Sequence, residues 1–144
     1  MRLMLIASLL ILPQMAGAAE CGVDTVKVAE RTQSLEEHYD LILSDISCDA
    51  PTVRAHILMC DAAYDSQADL WRMGRLDDMA WVYAYENATK KEVDHADPPR
   101  DDDFMRRRDA CTDTACLCEV LIDHTNASLG GLSPYAGKQI ETEG

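Results

Sequence analysis

The sequence predicts an all-α domain, a bundle of about four helices braced by disulfides. Three observations carry that prediction. Apolar residues recur at steps of three, four and seven along most of the chain, the spacing of one helix face. No stretch of convincing length alternates apolar and polar residues as a half-buried strand does. The six cysteines, Cys21, Cys48, Cys60, Cys111, Cys116 and Cys118, form an even set, which in an exported chain reads as three disulfides.

Export is read from the first residues. Arg2 precedes an apolar run from Leu3 to Leu12, Pro13 breaks it, and Ala16-Gly17-Ala18 supplies the small residues of a signal-peptidase site. The run is too short to cross a hydrocarbon core of ~30 Å. Residues 1–18 are therefore predicted to be a signal peptide, cleaved after Ala18 or, one step on, after Ala19. Residues 19–132 are the expected disulfide-linked domain and 133–144 a flexible tail.

The elements follow in order. Val28, Leu35, Tyr39, Ile42 and Ile46 predict a first helix, capped by Asp24 and ending between Ser44 and Cys48. A second is expected to open at Asp49, with Pro51 in its first turn, where a missing N–H costs nothing. The stretch from Cys60 to Val93 holds no proline and one glycine, Gly74. It predicts either one long helix or a break near Gly74, where Asp77 and Asp78 would cap a new start. Tyr64, Trp71, Leu76, Met79, Val82 and Tyr83 mark its apolar stripe. Asp97-Pro98-Pro99 is expected to end that helix and form a stiff linker. Asp101 or Asp102 then caps a helix carrying Phe104, Met105 and Arg108. Thr112 or Asp113 caps a last one, with Leu117, Val120, Leu121 and Ile122, which Gly130-Gly131 stops.

Composition narrows the function classes. The chain has 13 basic and 26 acidic residues, a net charge of −13. Arg2 is the only charge lost on cleavage, so the mature chain stands at −14. Such a chain repels nucleic acid and anionic lipid, and no membrane insertion is expected once the leader is removed. It attracts basic partners; plain solubility explains the same charge. Cys116-x-Cys118 lacks the ligand gap of a zinc site, and His38, His56, His95 and His124 stand alone. Asp94 to Asp103 lacks the central glycine and twelfth-position Glu of a calcium loop. No metal or cofactor is therefore expected. No P-loop, Rossmann fingerprint, nucleophile elbow or zincin motif is present, so no enzyme is predicted. A pocket holding His95 or His124 beside a perturbed carboxylate would reopen that question.

Two segments carry a resemblance. Ile46-Ser47-Cys48-Asp49-Ala50-Pro51 through Ile57-Leu58-Met59-Cys60-Asp61 is the first, and Arg107-Arg108-Asp109-Ala110-Cys111 through Cys116-Leu117 the second. Together they resemble the lysozyme-inhibitor LprI-like domain family, over about residues 48–129. His56 stands where that family usually carries an acidic residue, and Cys21 and Cys118 have no assigned counterpart. The resemblance implies pairings Cys48–Cys60 and Cys111–Cys116, with Cys21 and Cys118 left as the third pair. It also implies an inhibitor of a lysozyme-type cell-wall hydrolase, a basic protein partner for this acidic chain. Asp101, Asp102, Asp103 and Arg106 are the expected partner-binding residues. A lysozyme cleft holds two carboxylates, so an inserted probe should be basic or hydroxyl-bearing: Arg106, or Ser133, Tyr135 and Lys138 of the tail. A periplasmic immunity protein against a cell-wall-degrading toxin fits the same features, as does a structural envelope protein.

Overall fold

The computed structural model describes residues 21–64 and 68–136; the predicted signal peptide lies outside them. The described residues form five helices: α1 Thr25–Tyr39, α2 Arg54–Ala63, α3 Asp69–Thr89, α4 Asp102–Asp109 and α5 Thr114–Leu129, followed by a 3-10 turn at Gly130–Leu132. No strand occurs among the described residues. The central element is α3, which packs against α5, α1 and α2, while α4 bridges α5 and α2.

Sequence dictates that central role. Leu70, Met73, Leu76, Met79, Ala80 and Val82 are all essentially fully buried along α3. Each large apolar side chain so buried contributes about 1.5–3 kcal/mol. Val28 and Leu35 of α1, Ala55 and Met59 of α2, Phe104 of α4, and Leu117 and Leu121 of α5 close the core around it. Three helix starts carry the side-chain caps expected of them. The Asp24 carboxylate accepts from the N–H groups of Val26 and Lys27, that of Asp101 from Asp103 and Phe104, and that of Asp113 from Cys116.

Several boundaries differ from the sequence expectation. The first helix stops at Tyr39, not near Cys48. Ile42 is buried, but from an irregular segment, residues 40–53, that is held by other elements. The Leu43 N–H donates to His95 O, the Leu43 carbonyl accepts from Arg100, and those of Asp40 and Ile42 accept from Arg75. Helical spacing at Ile42 and Ile46 thus came from burial by tertiary packing. The second helix opens at Arg54, beyond Pro51. Helix α3 runs unbroken through Gly74, and Asp77 is buried in its interior and caps nothing. It ends at Thr89, where Lys90 turns left-handed (φ 57°), well before Asp97-Pro98-Pro99. Those prolines pack back on α3, where Trp81 Nε1 donates to Pro99 O at 2.8 Å.

The three disulfides are Cys21–Cys118, Cys48–Cys60 and Cys111–Cys116. The first ties the segment before α1 to α5 across 97 residues, and the Cys21 N–H also donates to Asp69 at the start of α3. The packed domain continues past residue 132, because Ser133 and Tyr135 are buried. The tail predicted from 133 is therefore structured through Ala136, and residues 137–144 lie outside the described part.

Candidate functional site: an apolar cavity above a charged core

The motif residue Arg108 organises the lower layer of the site. The last turn of α4 points it inward, and it is only 3 % exposed. A buried guanidinium needs paired, hydrogen-bonded partners. It donates to both carboxylate oxygens of Asp45, at 2.8 and 2.7 Å, and to Asp109 at 2.9 Å. His56 Nε2 lies 2.9 Å from the same Asp109 oxygen. Burial alone would raise the Asp45 carboxyl, but the hydrogen bonds and charge of Arg108 hold it below the usual range.

A second tie lies beside the first. His124 of α5 has Nδ1 2.9 Å from both Asp77 oxygens and Nε2 3.4 Å from Asp101. Thr125 Oγ1 donates to Asp77 at 2.8 Å. Burial alone would lower the His124 imidazole; the bond and charge of Asp77, and then Asp101, outweigh it and raise it. Phe104 joins the two ties. Its ring stacks on the His124 ring at 3.9 Å, and the Arg108 guanidinium lies over it at 5.5 Å. Asp77, His124 and Asp101 therefore bolt α3, α5 and the start of α4 together. This is a histidine beside carboxylates, the arrangement that reopens the question of catalysis. Yet it is 5 % exposed and adjoins a cavity of only about 20 Å³.

A roomier, mostly apolar opening adjoins these ties. A cavity of about 420 Å³ is walled by the 40–53 segment, α2, α3 and α4, with Leu121 of α5 at its base. Ile42, Ile46, Met59, Trp71 and Phe104 make most of its lining apolar, and the Cys48–Cys60 disulfide forms part of one wall. Gly74 sits where α2 crosses α3; a Cβ there would lie 2.5 Å from the terminal methyl of Met59. Leu43 and Trp71 stand at the mouth, 55 % and 41 % exposed. Trp71, like Tyr64 at 89 % exposed, was expected in the apolar stripe and is instead outside the core.

Three charged side chains line this cavity besides Asp77. Arg108 is spent on Asp45 and Asp109. Arg75 is spent on Glu36 and on the carbonyls of Asp40 and Ile42. Asp78, half-buried, lacks a hydrogen-bond donor among the described residues. Burial pushes its carboxyl up to about 7, the charges of Asp77 and Asp45 add to the effect, and Arg100 and Arg108 oppose it.

Compared with known protein families, curated proteins and solved structures, the chain matches none of them.

The partner-binding residues expected from sequence separate. Asp101 is consumed as a helix cap and as a partner of His124. Asp102 and Asp103 are exposed, and Asp103 pairs with Arg106 and Arg107 within α4. Arg106 is likewise exposed. Ser133 and Tyr135 are buried and offer no probe; burial also raises the Tyr135 hydroxyl. Lys138 lies outside the described residues. The cavity carboxylate Asp78 was missed as a site residue. Its signal was present: Asp77-Asp78 interrupts an apolar stripe at positions that face neighbouring helices.

Proposed function

We propose that the protein is an exported binding protein that inhibits a basic, lysozyme-type peptidoglycan hydrolase. The observation that carries this reading is charge on a rigid frame. The chain carries a net charge of −13, or −14 without the predicted leader, and its helical domain is closed by three disulfides. Such a surface steers a basic protein to itself over several ångströms and speeds the encounter. Disulfides in the chain fit an oxidising compartment, where a cell-wall hydrolase would be met. The motifs around Cys48–Cys60 and Cys111–Cys116, similar to those of the LprI-like domain family, add support. Asp102, Asp103 and Arg106, exposed together on α4, are the proposed contact surface.

The test is peptidoglycan hydrolysis by a basic lysozyme at low salt, with the purified disulfide-bonded protein in molar excess. Inhibition is expected, and it should weaken as salt is raised, since exposed charges are screened beyond about 10 Å at 0.1 M. Undiminished hydrolysis at high excess refutes the reading.

A further inference from the structure

We propose that the 420 Å³ cavity receives a lysine side chain of the protein partner, with its ammonium on Asp78 and its stem on the apolar walls. The inference rests on the reading above in one respect, that the partner is a basic protein.

Four features of the cavity argue for it. The lining is apolar on several sides, which suits the four-carbon stem of a lysine, a side chain that buries methylenes while keeping its head polar. The two arginines at the wall are already paired, so the carboxylate of Asp78 is the charged group left for a ligand among the described residues lining the cavity. The mouth carries Leu43 and Trp71, both exposed. Placed there, they can cover the stem of a bound side chain and exclude water from the contact, as the near-neutral surround of a binding hot spot does. Finally, Asp77 and Asp45 place two further negative charges near Asp78, against the positive charges of Arg100 and Arg108.

The charged groups facing Asp78 come from each packed element that carries one. Asp77 of α3, Asp45 of the 40–53 segment, Arg100 of the segment before α4 and Arg108 of α4 act on it; Arg75 of α3 lines the same cavity, and His124 of α5 lines the smaller cavity that Asp78 also borders. Binding a cation requires the ionised carboxylate. A carboxyl that titrates near 7 is ionised in roughly a tenth of molecules at pH 6 and nine-tenths at pH 8. Affinity for a lysine should therefore rise about tenfold between those values.

The test titrates the disulfide-bonded protein with Ac-Leu-Lys-Leu-NH2, with the same peptide carrying norleucine in place of lysine, and with n-hexylammonium alone, by NMR or calorimetry at pH 6 and pH 8. At pH 8 the lysine peptide should bind at least about tenfold more tightly than the norleucine peptide, a preference of about 1.4 kcal/mol. Hexylammonium should bind more weakly than the lysine peptide, because it leaves Leu43 and Trp71 uncovered. Asp78→Asn should keep the helical circular dichroism, lose the preference for lysine and lose the pH dependence. Ala63→Phe, placed at the cavity wall, should weaken all three probes. Equal binding of the lysine and norleucine peptides, hexylammonium binding as tightly as the lysine peptide, no saturable binding, or an unchanged preference in Asp78→Asn overturns the proposal. The two readings fail separately. Lysine-selective binding without hydrolase inhibition keeps the pocket and removes the hydrolase; inhibition that Asp78→Asn leaves intact, with no peptide bound, does the reverse.

Discussion

Asp78 and His124 stand a few residues apart in space and are both perturbed by burial, yet they push stability the same way for opposite reasons. The Asp78 carboxyl is raised to about 7 against an ordinary value near 4. The folded state therefore holds its proton where the unfolded state has lost it, and stability falls as pH climbs from about 4 through 7. His124 is raised as well. Its contribution is complete below the unfolded value of about 6.5 and is lost as pH rises through the folded value. Asp45, held low by Arg108, works in the other sense: its contribution is present above the ordinary carboxylate value and disappears as pH falls through the lowered one. Substitution isolates one of these. Asp78→Asn removes the ionisation while keeping the shape, so it should stabilise the fold at pH 8 by about 4 kcal/mol, and the gain should all but vanish by pH 4. Denaturant unfolding of both proteins at the two values checks this. Equal stability at pH 8 would mean that solvent reaches the carboxylate freely.

At the scale of elements, the helices that were easiest to foresee are those with chemical punctuation. Asp24, Asp101 and Asp113 each stand where a side-chain oxygen satisfies orphan N–H groups, and each caps the helix expected of it. The ends that were misplaced lack such marks. Helix α2 begins at Arg54 with Val53 before it and no side-chain cap, and α1 ends at Tyr39 although the apolar spacing runs on to Ile46. Periodicity records which residues are buried, and an irregular segment pinned by Arg75, Arg100 and Arg108 buries Ile42 as effectively as a helix does. The same limit hid the site. Ile42, Trp71 and Asp78 meet around one cavity only after residues 40–53 fold back over α3, a long-range event with no local signature. Caps also give the clearest test at this scale. Asp113→Ala removes the acceptor for the Cys116 N–H at the start of α5. It should lower stability by about 1 kcal/mol, read as a shift in denaturant midpoint with unchanged slope. Because the Cys111–Cys116 disulfide holds the same turn, α5 itself should remain helical. A loss beyond about 2 kcal/mol would show that the cap also orders the disulfide loop.

For the whole molecule, two long-range effects oppose each other. Excess negative charge spreads the chain, and covalent closure restrains it. Cys21–Cys118 spans 97 residues, whereas Cys48–Cys60 and Cys111–Cys116 span 12 and 5. Loop-closure entropy grows with loop length, so the long bridge restrains the unfolded chain most, by about 4–5 kcal/mol in the chain-entropy picture. It also fastens Cys21, whose N–H donates to Asp69, against the start of α3. Replacing both cysteines by alanine should therefore lower the melting temperature by roughly 10–20 °C, given a shift of a few degrees per kcal/mol for a domain of this size. Part of that loss is electrostatic in its consequences. The unfolded chain without the bridge is freer to relieve the repulsion of a −13 charge by expanding, which the bridged chain cannot do as fully. Added salt screens that repulsion and should recover more stability in the double variant than in the native protein. Melting curves of both proteins at 20 mM and 500 mM sodium chloride decide the matter. A parallel rise in the two would leave loop closure as the whole contribution of the bridge. A larger rise in the variant would show that the disulfide also holds an acidic chain together against its own charge.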